Sequence, residues 1–421
     1  MFNPSALDIQ YGLTSLSDVA LCVREFMCSV DITTLASRSI ADEIINNISK
    51  SDDVVNSQLF TMYNSTLSHA VDLVFSDSPD EILPVRLRAS LAEFAAFKAK
   101  SATDMVRNAV DIDEAKAALN THNRYLAAEY NTARTRARSA RQFNDWNDAG
   151  NKDLFPNIKW LPSRSVKLRD DHVRFYNRVW AKTDSFWNSN QPGALWNCKC
   201  DWQQTDEPVT DGNPGGLNPL PGLNGNPANG TIFSDDSNYY PNEKNFDNEV
   251  KRQEDISKLK LKMENCYYNY KGVNISAFAD KKDLPTNINI CKILNNSHKV
   301  NDASIRPHTR IENKKNAELL IDKHIGDVKA IETNNVKAAF RAAIEQDADV
   351  IVIPTINIPK FNLKEFCNNI GNRYMDFQNN VITKCLVIHD NKVYLITKEM
   401  FKNNIKKTDA QSIVRNVMGL K

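Results

Sequence analysis

No run of apolar residues in this 421-residue chain approaches the roughly 18–20 needed to span a bilayer, so a membrane is not expected among its partners. The first 18 residues have neither the basic nor the apolar region of a secretory signal, which predicts synthesis in the cytoplasm. Charge of one sign is not in excess. The 53 Lys+Arg against 52 Asp+Glu leave a net +1, which neither demands nor excludes a polyanionic partner. The eight cysteines are scattered through a long chain, so no disulfide framework is expected and the thiols read as reduced. There is no glycine-rich phosphate cradle, which argues against ADP-ribosylating or other nucleotide-cradling chemistry, and no internal repeat of roughly 20–50 residues.

What is present is a globular composition, 41% hydrophobic and 25% charged, on a chain long enough for two or three domains. Residues 1–150 read as a helical region. Leu87, Leu91 and Phe94 fall on one helical stripe behind Pro84, and residues 111–141 continue in alanine and other good helix formers. Arg134, Arg138 and Arg141 share one face of that helix. This is either a solvated face or a contact with a nucleic-acid backbone or an acidic neighbour.

Residues 151–242 combine an irregular region rich in Trp and Cys with a segment dense in Pro, Gly, Asn and Asp, which must lean on something else or stay mobile. Arg169-Asp170-Asp171-His172 is followed by Trp180, Trp187, Pro192-Gly193 and Trp196-Asn197-Cys198-Lys199-Cys200. His172, Cys198 and Cys200 are ordinary zinc ligands. Two cysteines two apart on an extended chain point the same way, and Asp170 or Asp171 is available as a fourth ligand. The alternative is two buried thiols acting as small apolar groups beside a satisfied histidine.

The same residues carry a family likeness. Trp160-Leu161-Pro162-Ser163-Arg164, the basic-Asp-Asp-His string, Phe186-Trp187, Gln191-Pro192-Gly193 and the closing Asn-Cys-Lys-Cys resemble the phage Mu protein F-like head morphogenesis family, with Lys199 in place of the usual Arg. The alanine- and arginine-rich helix from Tyr130 and Gly222-Leu223-Asn224-Gly225-Asn226-Pro227 extend the resemblance over roughly residues 60–240. The resemblance implies a minor head protein of a tailed phage or prophage, made in the bacterial cytoplasm and carried in the virion. Its implied partners are the portal and capsid proteins.

Residues 243–300 are charged and rich in Asn and Lys. They read as a connector with one short helix around 250–265. Residues 301–421 read as a small basic α+β domain, with helices at 312–324, 336–346 and 362–378. A buried strand is predicted at 348–354, and a hairpin at 384–397 turns on Asp390-Asn391. From His298 onward there are 20 Lys+Arg against 14 Asp+Glu, a field that favours RNA or DNA. The layout resembles the nuclease toxin domains of contact-dependent inhibition proteins and phage-borne polymorphic toxins, which implies a ribonuclease, often acting on tRNA, and an immunity protein as partner. Metal-free RNA cleavage needs an acid, a base and a cation. His308, Arg310 and Glu312 place such groups on one face if extended, with Arg306 and Arg373 as further phosphate contacts. A metal-dependent alternative pairs Asp349 with Glu312, and the bland alternative is a loop entering a helix. The expected architecture is therefore multidomain: a mainly α N-terminal and middle head-morphogenesis domain with an irregular Trp/Cys region, then a small α+β C-terminal domain. Without catalysis, that last domain would dock capsid or DNA.

Overall fold

The computed structural model describes residues 38–163, 170–212, 214–241, 249–309, 316–402 and 404–420. The chain divides into two compact units, Met1–Lys244 and Asn245–Lys421, which mix helices with two sheets.

The first unit opens with helices α1 (Arg38–Lys50), α2 (Ser57–Val74), α3 (Ile82–Arg107) and α4 (Ile112–Asn147). Of the 26 residues of α3, 18 are buried, so it is the central helix, apolar on nearly every side. Leu87, Leu91 and Phe94, the stripe read from the sequence, are fully buried. Asp111 caps α4 by accepting from the Glu114 amide, 2.9 Å. The buried stripe of α4 runs through Ala118, Ala133, Ala137 and Ala140, whose small side chains let neighbouring backbone come close. A short α5 (Ala149–Leu154) leads to a three-stranded antiparallel sheet of β1 (Asn157–Leu161), β2 (Val179–Ala181) and β3 (Asp201–Thr205), with β1 in the middle. The four-residue α6 (Asp170–Val173) precedes β2.

A buried ion pair sits between α3 and α4. The Lys98 ammonium lies 2.9 Å from Glu129 and donates to the Tyr239 hydroxyl (3.0 Å) and the His122 carbonyl (2.8 Å). The lysine pKa is pulled down, first by burial, while the Glu129 charge opposes that pull. Lys98→Met removes the cation from these three polar groups and strands the Glu129 carboxylate. It is expected to lower stability by about 3–5 kcal/mol. The double change Lys98→Met/Glu129→Leu should recover much of that loss in denaturant unfolding. A single-variant loss below about 1 kcal/mol would show the pair to be immaterial.

The second unit carries an eight-stranded mixed sheet in the order β11-β10-β9-β8-β7-β6-β5-β4. The strands are β4 (Tyr267–Tyr270), β5 (Val273–Ser276), β6 (Ala303–Ile305), β7 (Leu319–Ile321), β8 (His324–Val328), β9 (Val350–Pro354), β10 (Lys384–His389) and β11 (Lys392–Thr397). The helices are α7 (Glu249–Lys262), α8 (Leu284–Asn295), α9 (Lys337–Ile344), α10 (Leu363–Gly371), α11 (Tyr374–Gln378) and α12 (Lys407–Val417). Parallel neighbours need crossovers, and the helices supply them. Helix α8 joins β5 to β6, α9 joins β8 to β9, and α10 with α11 joins β9 to β10. The buried strand read at 348–354 is β9. Its Ile351 and Ile353 pack with Phe340, Phe366, Phe377 and Val414 in one core. The predicted hairpin forms, and both Asp390 (φ 48°) and Asn391 (φ 60°) take the left-handed conformation that a two-residue turn demands.

Two expectations are corrected. The segment 243–300, read as a connector, contributes β4, β5 and α8 to this unit; its charged composition reflects the outer faces of elements whose inner positions, such as Ile275, Ile288 and Leu294, are buried. The helix expected at 312–324 is instead, over its described part, the strand β7 and the start of β8, joined at Asp322 (φ 50°) and Lys323 (φ 72°). Ala317, Leu320 and Ile321 fit a helical stripe, while Ala317, Leu319 and Ile321 fit a two-residue period; pairing to β6 and β8 selects the second, and those three are the buried ones.

Candidate metal centre and charged clusters

The Trp/Cys region folds around its aromatics. Trp160 on β1 stands opposite Trp202 on β3 in the strand register. Trp160, Trp187, Trp202, Phe175, Cys198 and Cys200 form one buried cluster. The Trp202 indole donates to Gln142 of α4 (2.8 Å), and the Trp187 indole donates to the Ala181 carbonyl (2.9 Å).

Into this cluster the chain brings His172, from α6, against Cys198 and Cys200, just ahead of β3. Nδ1 of His172 lies 3.0 Å from the Cys200 sulfur and 3.8 Å from that of Cys198, and the three ligand atoms all fall within 4.8 Å of one another. A tetrahedral zinc with ordinary bond lengths would separate a nitrogen and a sulfur ligand by about 3.6 Å, a value the two separations bracket. All three residues are buried, and Nε2 of His172 has no hydrogen-bond partner among the described residues. The Cys198 thiol is drawn well below its usual range, first by the hydrogen bond from Cys200, then by His172, against the effect of burial. Cys200 is raised in turn by donating to Cys198. Two thiols, which bind a metal as thiolates, and an imidazole in a dry pocket can hold a metal ion. Asp170 and Asp171, considered from the sequence as fourth ligands, are exposed at the start of α6 and stand outside the group.

The arginine face of α4 turns to its own chain. Arg138 pairs with Asp201 (3.2 Å), and Arg141 pairs with Asp77 (2.7 Å) while donating to the Val74 carbonyl. Arg134 also has an interaction partner within the chain. The arginine that matters most to packing is Arg136, on the opposite side of the helix. It is fully buried, burial lowers its pKa to about 10, and it remains charged at neutral pH. Its guanidinium donates to the carbonyls of Ile232 (2.6 Å), Gly193 (3.4 Å), Leu223 (3.1 Å), Asn224 (3.4 Å) and Gly225 (2.9 Å). The segment dense in Pro and Gly is thereby pinned to α4. Gly193 is required at this contact: its φ is +97°, and a Cβ there would come within 2.7 Å of the Arg136 side chain. Arg136 was legible only through its neighbours, since it shares the buried stripe with Thr132, Ala133 and Ala140.

In the second unit, the two described residues among those read as catalytic, His308 and Asp349, hold different partners. Arg310 and Glu312 lie outside the described residues. His308 faces Asp280, with Nδ1 3.7 Å from the carboxylate. Asp349 instead holds His324 (2.6 Å) and Thr383 (3.2 Å) at the start of β8, β9 and β10. Arg306 is half-buried and donates to the Ala317 carbonyl (3.1 Å), and Arg373 pairs with Asp376 beside the Phe340 ring.

A different set does converge, and sequence reasoning missed it because 312–324 was read as helix. Asp327 and Lys329 are two apart at the end of β8, on one face, with the ammonium against the carboxylate. Glu318 immediately precedes β7, and the antiparallel register places it across from Asp327. Burial raises the pKa of both acids. For Glu318 the Asn287 amide (2.6 Å) opposes that rise while the charges of Asp283, Asp327 and Asp280 add to it; for Asp327 the Lys329 ammonium opposes it. Two desolvated carboxylates beside an ammonium cost stability, which is the kind of arrangement that function retains.

Among known proteins, the chain is similar to protein F of Escherichia phage Mu, whose name assigns it to capsid assembly. The two are 33% identical over 78 residues, covering 18% of this chain and 17% of that protein. The match thus spans under a fifth of either one. No family model and no solved structure matches the chain.

Proposed function

We propose that the chain is a head-morphogenesis protein of a tailed phage or prophage, a minor component of the virion that docks portal and capsid proteins through its first unit. We further propose that its second unit cleaves nucleic acid. The likeness to a capsid assembly protein supports the first part, together with the burial of the His172, Cys198 and Cys200 motif residues in one pocket. We propose zinc as the ion of that pocket, in a structural role. Two thiolates and an imidazole favour a soft or borderline cation, and with no solvent-facing position among these ligands the ion would brace the aromatic cluster.

The second part rests on one observation, the placement of Glu318 opposite Asp327 with Lys329 beside it. Paired carboxylates can hold a divalent cation against a phosphodiester, and a neighbouring ammonium can meet the charge that develops on the phosphate oxygens. His308, 3.7 Å from Asp280, which itself adds to the field at Glu318, is kept as a candidate proton donor.

The full chain incubated with total tRNA and with single- and double-stranded DNA, with magnesium or with chelator, tests this reading. Cleavage that needs the metal and falls at least about 100-fold in Glu318→Gln and in Asp327→Asn is the expected result. Metal-free cleavage lost only in His308→Ala would move the chemistry to His308. No cleavage of any substrate by a folded chain would favour the structural reading, in which this unit only docks capsid or DNA.

A further inference from the structure

A cleft of about 630 Å³ opens at the far end of α8 from Asn287, between the segment after that helix and strand β11. Ser297, Lys299, Asn391, Lys392 and Tyr394 line it, and no carboxylate is among its lining residues. Both lysines are exposed. Two acids adjoin lining residues in sequence: Asp390, whose carboxylate lies 3.5 Å from Nε2 of His389, and Glu399, next to the lining Met400, whose carboxylate feels the charges of Lys398 and Lys384. Charge in the chain is unevenly shared: residues 245–421 hold 29 Lys+Arg against 21 Asp+Glu, and residues 1–244 hold 24 against 31.

From these features we infer that the cleft is a binding site for a nucleic-acid strand, and that it guides substrate to the Glu318/Asp327 centre. The inference rests on the reading of this unit as a nuclease. Two ammonium groups suit two phosphates, the tyrosine ring offers a face to a base, and Ser297 and Asn391 supply neutral donors and acceptors. The cleft's size lies within the range of small-ligand sites. Its position follows from α8. That helix holds Glu318 in place through Asn287 and ends at Asn295, eight residues or about 12 Å along its axis, just before the Ser297 and Lys299 wall. Helix α8 thus runs from the residue that holds Glu318 to the segment that walls the cleft.

The test uses the full chain carrying Glu318→Gln, so that binding is read without cleavage. Its probe is a fluorescently labelled single-stranded RNA of about 20 nucleotides, followed by anisotropy over a series of salt concentrations. Adding Lys299→Gln and Lys392→Gln is expected to weaken binding about 10-fold or more at low salt. It should also reduce the salt slope by about 1.4, two phosphate contacts at about 0.7 each. Tyr394→Leu should weaken binding with the slope intact. Unchanged affinity and slope in the lysine double variant overturn the proposal. So does equal competition by poly-glutamate and unlabelled RNA, which would mark the cleft as a docking surface for an acidic protein. The outcomes separate from those of the nuclease reading: a chain that cleaves but binds equally well without the lysines loses the cleft alone, and one that binds through them but never cleaves loses the carboxylate centre alone.

Discussion

Arg136→Met is expected to destabilise the first unit by about 4 kcal/mol or more. The substitution removes donors to five backbone carbonyls, and the fully buried site does not readily admit water to replace them. Each stranded carbonyl costs about 1–3 kcal/mol in principle, but local relaxation keeps the sum below simple addition. For a unit of this size the loss corresponds to a fall in melting temperature of about 8–16 °C. All six tryptophans lie in this unit, so intrinsic tryptophan fluorescence follows its unfolding without interference from the other. Arg136→Lys keeps the charge but cannot span five acceptors, and should lose about half as much. A melting temperature within about 2 °C of the wild type for Arg136→Met would mean that the 192–233 segment is held by other contacts, such as the Ser90 hydroxyl accepting from the Ile232 amide (3.0 Å).

Zinc removal should be comparable in effect. On the zinc reading, the protein purified without chelator carries close to one ion per chain, and Cys198→Ser, Cys200→Ser and His172→Ala each bring this below about a tenth. Chelation should lower the tryptophan-reported melting temperature by about 10 °C or more, because the ion ties α6 to the strand that follows Cys200 and braces the cluster of Trp160, Trp187 and Trp202. The same chelation should leave Cys198→Ser unmoved, since that variant holds no ion to lose. An ion content below about a tenth in the wild type would return the three residues to the simpler state of two packed thiols and a buried histidine.

Much of the first unit was legible in the chain because its signals are local or chemically rare. The stripe of Leu87, Leu91 and Phe94 and the alanine-rich stretch each read directly as helix. The histidine and the Cys-x-Cys pair stood out because few roles require both. The hairpin at Asp390-Asn391 was legible for the same reason, as its turn chemistry is carried by two adjacent residues. Helical spacing sets Arg136 on the face opposite Arg134 and Arg138, but the sequence could not say which of the two faces is buried. All three sit on one helix, and only the return of the 192–233 segment makes one of them a buried anchor.

The second unit shows where local reading stops. Residues 319–321 are three apolar side chains that fit two periods. They become a strand because β6 and β8 flank them, and that pairing alone sets Glu318 opposite Asp327. Likewise β4, β5 and α8 looked like a connector because strands of four residues carry little periodic signal, and their burial depends on partners distant in sequence. Composition, turn chemistry and the presence of rare metal-ligand residue types are properties of neighbouring residues and so were legible in the chain itself. Strand register, the choice of which charge is buried, and the meeting of Glu318, Asp327, Lys329 and Asn287 are products of long-range pairing, which only the folded structure decides.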